Sequence, residues 1–151
     1  MNLVERFAEA FNRRDVEGLL ACFTEDATYR DLFYGPHAGQ AALRGMFERM
    51  FREGRDYRWQ MEAIVMDASR AAAEWTFRYT ATAAVPRSEG RRVRFSGMSI
   101  FDLEGADLDG GDSGRRIRAY REYADAGTAL LQLGFAPESL AKVLARRLPT
   151  A

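Results

Sequence analysis

The sequence predicts an α+β domain: a curved antiparallel sheet wrapped around N-terminal helices, leaving a cone with one open end and an apolar pocket inside. Two observations carry this. Apolar residues recur mainly at helical spacing as far as Phe51, then at a period of two from Trp59 onward, and the joins between the period-two segments are rich in Gly, Pro, Ser and Asp. At 151 residues, 47% of them apolar, the chain suits one domain over 1–151 whose core needs no staple.

Leu3, Val4, Phe7, Ala8 and Phe11 share one helical face, which predicts an amphipathic helix ending near Asn12. Asp15 then offers a side-chain oxygen to cap a shorter helix with Val16, Leu19, Leu20 and Phe23 on its buried face and Cys22 within it. Thr24-Glu25-Asp26 reads as a turn, Thr28 to Leu32 as a short strand, and Tyr34-Gly35-Pro36-His37 as a loop. Gly39 opens a third helix, where Leu43, Met46, Phe47, Met50 and Phe51 fall at i, i+3, i+4, i+7 and i+8.

Three strands follow with one apolar face each. Trp59, Met61, Ala63 and Val65 alternate with polar residues in the first, Ala71, Ala73, Trp75, Phe77 and Tyr79 in the second, and Val93, Phe95, Gly97, Ser99 and Phe101 in the third. The stretches around Pro86 to Gly90 and Gly105 to Gly114 serve as hairpin connections, which makes consecutive strands antiparallel. A last strand, Arg116 to Ala124, precedes a short helix with Leu130, Leu131 and Leu133 stopped by Gly134. Pro137 starts an additional helix over 136–148. Its apolar face of Leu140, Val143, Leu144 and Leu148 docks either on this domain or on a partner.

Lys+Arg and Asp+Glu are equal at 22 each, so no net field draws the chain to nucleic acid or to an anionic membrane. No apolar run is long enough to span a bilayer, and a single cysteine, Cys22, forms no intrachain disulfide, which points to a cytoplasmic setting. Asp107, Asp109 and Asp112 invite comparison with a calcium loop, but Arg118 stands where a bidentate Glu is needed, and the segment reads as a solvated turn. One histidine and one distant cysteine do not make a zinc site, so no metal is expected.

Tyr29 and Asp31 lie two apart on a strand and leave the same face, so a phenol and a carboxyl reach one molecule if that face is inward. In the last strand, alternation sets Arg118, Tyr120 and Glu122 against Ile117, Ala119, Arg121 and Tyr123, and does not say which face is buried. A carboxyl forced into an apolar cavity loses hydration and has its pKa raised, which suits Asp31 and Glu122 to general acid/base work. The competing reading makes Tyr29 and Asp31 an exposed strand start and pairs Glu122 with Arg121 or Arg118 on a solvated face. His37, in its Gly-Pro loop, either gates the pocket or is an exposed loop histidine. Trp75, Phe77 and Tyr79 are core or pocket wall, with no basic groove to make them a base-stacking platform.

The runs Val4 to Asp15 and Phe23 to Tyr29, with Gly39-Gln40-Ala41-Ala42-Leu43 and Tyr120 to Asp125, resemble the SnoaL-like branch of the nuclear transport factor two-like superfamily. The resemblance extends to about Gly134 and implies a cystatin-like α+β barrel, a fold that hosts ketosteroid isomerase, limonene-1,2-epoxide hydrolase, polyketide cyclases and members that only bind or assemble. Against the epoxide hydrolases it implies Tyr29 as a water-holding tyrosine, Asp31 in place of an asparagine and Glu122 as the water-activating carboxylate, with Tyr120 and Glu122 inward. Trp75 and Phe77 replace the arginine and aspartate of that site. Against ketosteroid isomerase it implies Asp31 as the proton shuttle, but Phe7 replaces the oxyanion tyrosine and Ser99 the protonated aspartic acid. The cyclases, which need only an acid on the last strand where Glu122 stands, are the enzyme class least contradicted.

The expectation is therefore a cofactor-independent enzyme, of isomerase, cyclase or hydrolase type, that moves a proton on a small hydrophobic cyclic or polyketide-like molecule. Glu122, Asp31 and Tyr29 are its catalytic candidates, and Trp75, Phe77, Tyr79, Tyr120, Ser99, Phe47 and His37 its substrate-binding candidates. The alternative is a non-catalytic ligand-binding or dimerisation module of the same fold. A homodimer through the outer sheet face, around Glu74, Thr76 and Arg78, is expected in either case.

Overall fold

The computed structural model describes residues 1–105 and 114–150. The aspartates at 107, 109 and 112 and the tip of the connection between the last two strands lie outside the described residues. The order is α1 (Leu3–Asn12), α2 (Val16–Ala21), β1 (Phe23–Asp31), β2 (Gly35–Ala38), α3 (Gln40–Glu53), β3 (Gly54–Met66), β4 (Arg70–Ala81), β5 (Arg92–Glu104), β6 (Arg116–Ala124), α4 (Ala126–Gln132) and α5 (Pro137–Ala145). The α+β class holds. The six strands run β2-β1-β6-β5-β4-β3 in one curved sheet that stays open at β2 and β3, so it is not a closed barrel.

The helices form where local chemistry ends them. Asn2 and Glu5 make a reciprocal capping box on α1, Asn2 Oδ1 accepting from Glu5 N at 3.0 Å and Glu5 Oε2 from Asn2 N at 2.8 Å. Asp15 caps α2 through Gly18 N at 2.8 Å, and Cys22 is the residue that closes it. Gly39, at φ 83°, turns the chain into α3. The apolar faces of α1 and α3 then meet inside the sheet's concavity, where Phe7, Phe11, Leu43 and Phe47 are at most 1% exposed.

The structure departs from the sequence reading at Phe23, which opens β1 instead of lying on the face of α2, and in three places beyond it. Thr24-Glu25-Asp26 is not a turn but part of β1, which pairs with β6 at Phe23 and Ile117, slips register, and resumes at Thr28 and Ala119. The Gly35-Pro36-His37 segment is an edge strand that pairs antiparallel with β1, an edge position being where a proline is tolerated. Bulges also reverse side-chain parity. In β3 the register slips between Met61 and Ile64, so Ile64 and Met66 turn inward while Ala63 and Val65 are exposed. In β6, Arg118 is the extra residue between Ile117 and Ala119, which buries both Ile117 and Tyr120 and leaves Arg118 outside.

The C-terminal segment folds back on the same domain. Gly134, at φ 88°, ends α4, and Gln132 locks that helix to β5 by accepting from Arg94 N and donating to Arg94 O, each at 2.8 Å. Leu140 and Val143 of α5 pack against the core, whereas Leu148 is 71% exposed. No helix among the described residues is long and apolar enough to cross a membrane.

Candidate active site

Strands β1 and β6 are parallel neighbours, with Tyr29 opposite Tyr120. Two residues further along each strand, on the same face, stand Asp31 and Glu122. The sheet therefore sets two phenols and two carboxyls side by side, the phenol rings stacked with centroids 4.1 Å apart.

Each carboxyl is held by donors. Asp31 Oδ1 accepts the backbone N–H groups of Phe33 at 2.7 Å and Tyr34 at 2.8 Å, an Asx turn that carries the chain from β1 toward β2. Glu122 Oε1 accepts Leu32 N–H at 2.7 Å and Oε2 accepts the Tyr120 hydroxyl at 2.7 Å. The two carboxyls also stand close enough for each to perturb the titration of the other. Neighbouring buried acids resist ionising together, so the two titrate as a pair.

Burial raises the pKa of Asp31, and the two backbone donors on Oδ1 hold it back. Glu122 rises much further, through burial first and then the charge of Asp31. Asp31 is thus the more readily ionised of the two and Glu122 the more firmly protonated. Glu122 is only half-buried as a residue because part of it faces the cavity, while its carboxyl is enclosed. The phenols of Tyr29 and Tyr120 are likewise pushed up by burial and by the Glu122 charge, so both remain protonated donors.

Acids whose folded pKa lies above the unfolded value favour the folded state most below the unfolded pKa, near 4, and lose that advantage as pH rises through the folded value. Thermal melts at constant ionic strength are expected to show stability falling as pH rises through the range above about 4. Each unit of elevation corresponds to about 1.4 kcal/mol. Glu122→Gln is expected to flatten the slope, and a wild-type midpoint independent of pH in this window would show that the pair is not buried as drawn.

The pair opens on a cavity of about 330 Å³. Asp31, Glu122, Tyr29, Trp75, Phe77 and Tyr79 all line it, and burial pushes the Tyr79 phenol up to about 12. Tyr120 and Ser99 stand behind the wall, 2% and 0% exposed, within the hydrogen-bond network. Two candidates are elsewhere. Phe47 is core, edge-on to Tyr29 and Phe11 and off the cavity surface, because the stripe on α3 that sequence singles out is the stripe packing requires. His37 sits on edge strand β2 beside a separate groove with Thr28 and Arg121, its Nδ1 3.2 Å from Gly35 O.

The structure adds a polar cluster that sequence reading missed. At the cavity wall the Tyr34 hydroxyl donates to Glu53 Oε2, Arg49 Nε donates to Glu53 Oε1 at 2.8 Å, and the Arg49 guanidinium lies 4.8 Å over the Tyr34 ring. Arg49 and Glu53 are an i,i+4 pair at the end of α3 and read as a solvated helix surface. Only the hairpin that swings Tyr34 over them reveals otherwise. Phe33, Phe95, Leu133 and Phe135 are among the other apolar residues of the wall.

The family model for the SnoaL-like domain matches residues 4–108, and the chain belongs to that family. Among solved structures it is similar to a candidate polyketide cyclase from Xanthomonas campestris pv. campestris, with 26% identity over 87% of this chain and 93% of that one and a TM-score of 0.67. It also resembles a hypothetical protein with a ketosteroid isomerase-like fold from Catenulispora acidiphila, in complex with trimethylamine (15% identity, 90% and 95% covered, TM-score 0.70). A third is an LEH-like epoxide hydrolase from M. tuberculosis (19% identity, 95% and 93% covered, TM-score 0.65). A search of curated proteins finds no match.

Proposed function

We propose that this SnoaL-like protein is a cofactor-independent enzyme that moves a proton on a small, ring-containing, enolisable molecule. One observation carries the reading: Asp31 and Glu122 stand side by side on paired strands at the wall of a cavity whose other sides are mainly aromatic. The ionised member of the pair takes a proton from the carbon next to a carbonyl. The C–H electron pair becomes the C=C bond of an enolate, and the acidic member returns a proton to oxygen or to another carbon. A volume near 330 Å³ lies at the small end of ligand pockets and suits about two fused rings.

Exchange into heavy water tests this without knowledge of the natural substrate. With β-tetralone as probe, proton NMR is expected to show loss of the α-proton signal faster than in buffer at matched pH. Saturable binding of the probe with no exchange above buffer would instead support the second reading, a non-catalytic carrier. That reading is favoured by Trp75 and Phe77, which present rings where the epoxide hydrolase pattern has charged groups.

A further inference from the structure

Behind the carboxyl pair, four side chains form a line. Trp75 Nε1 lies 2.8 Å from Ser99 Oγ, Ser99 Oγ 2.7 Å from the Tyr120 hydroxyl, and that hydroxyl 2.7 Å from Glu122 Oε2. Trp75 and Tyr120 are 2% exposed and Ser99 is fully buried. An indole N–H only donates, so Ser99 accepts from Trp75. If Tyr120 also donated to Ser99, the Ser99 hydroxyl proton would be left buried with no acceptor among the described contacts, a costly arrangement. The assignment that satisfies every proton runs one way: Trp75 to Ser99, Ser99 to Tyr120, Tyr120 to Glu122. Trp59 makes the contrast, since its indole nitrogen is buried with no hydrogen-bond partner and its ring serves packing.

We infer that Trp75 and Ser99 are positioning residues for the carboxyl pair, a one-way donor relay that holds the Tyr120 hydroxyl as a permanent donor to Glu122. The inference rests on the reading of Glu122 as the working acid and assigns new roles to two residues that the sequence offers only as substrate-binding candidates. When Glu122 gains a proton, it has no acceptor at Tyr120 and directs that proton toward Asp31. The relay thereby gives the pair its direction: Asp31 receives, Glu122 delivers. Each bond in such a chain polarises the next, which strengthens the last one in a medium of low dielectric.

The titration of Glu122 reads the relay directly. The groups around it are Asp31 and Tyr29 on β1, Tyr120 on its own strand, Tyr34 in the β1–β2 turn, His37 on β2, Glu53 on α3, and Tyr57 and Tyr79 on β3 and β4, through their interactions with the pair. With the relay cut, Tyr120 is free to turn and accept from the protonated acid, so the protonated form gains and the midpoint moves up. Carbon-13 NMR of carboxyl-labelled protein is expected to show the Glu122 midpoint raised by about one unit in Ser99→Ala and by about half a unit in Trp75→Phe, which keeps the ring and loses the N–H. The double variant is expected to shift no further than Ser99→Ala alone, because both act through one chain.

A Glu122 midpoint unchanged in either single variant whose amide spectrum stays native, or shifts that simply add, would overturn the relay. The titration needs no substrate. Loss of proton exchange with a normal relay titration would count against the proposed function alone, and the converse would count against the relay alone.

Discussion

Glu122→Gln is expected to fold, to bind ring-containing ligands with unchanged affinity, and to lose proton exchange by a factor of about 10²–10⁴, the usual worth of a positioned acid or base. The amide is nearly isosteric. Its oxygen can still accept from Leu32 N–H, while its NH₂ group takes the place of Oε2 and can no longer accept from the Tyr120 hydroxyl, which must turn. What it lacks is a proton to give. Asp31→Asn is the companion: it removes the more readily ionised member of the pair, and the same assay is expected to show a comparable loss. Retained exchange in Glu122→Gln, measured at several pH values so that a shifted optimum is not mistaken for inactivity, would remove the acid/base role and leave a binding cavity.

Gly97→Ala is expected to cost about 2–3 kcal/mol, in the range for overpacking a filled interior. Gly97 faces Trp75 across the β4–β5 ladder, and a Cβ built there lies 2.5 Å from the far edge of the Trp75 ring and 2.6 Å from the Tyr123 carbonyl. The indole is held edge-on to Trp59 and Phe95, and the carbonyl belongs to β6, so relief requires disturbing either the aromatic cluster or the sheet. For a chain of this length the melting temperature should fall by about 5–10 °C. Displacing the indole also pulls its N–H from Ser99, so the variant is expected to raise the Glu122 midpoint in the Trp75→Phe direction. A melt within 1 °C of wild type would show that the indole does not lie over Gly97.

Much of the fold was legible because its cues are local. The helical spacing of Leu3 to Phe11 and Leu43 to Phe51, the caps at Asp15 and Gly39, and the stop at Gly134 act over a few residues, and the structure uses each of them. What failed depends on partners distant in sequence. Thr24 to Asp26 has turn composition, but pairing at both ends with β6 carries it through as strand. Strict alternation put Val65 inside and left β6 ambiguous, because a bulge is a relation between two strands and leaves no mark in one. For the site, the resemblance placed Asp31 and Glu122 at comparable positions, while their adjacency follows from the parallel β1–β6 pairing, which no local pattern announces. Tyr34, Arg49 and Glu53 escaped for the same reason: an ion pair on a helix end and a tyrosine in a hairpin look unrelated until the chain closes over them.

The amide groups of Leu32, Phe33 and Tyr34 all end on the two acids. Three consecutive peptide dipoles thus act as a fixed positive counterweight supplied by main chain, which no substitution other than proline deletes. Altering the length or curvature of that short segment would retune proton affinity while both carboxyls stay in place. In a family that spreads one scaffold over several chemistries, such a segment offers a way to move the working acidity of the site without rewriting its acids.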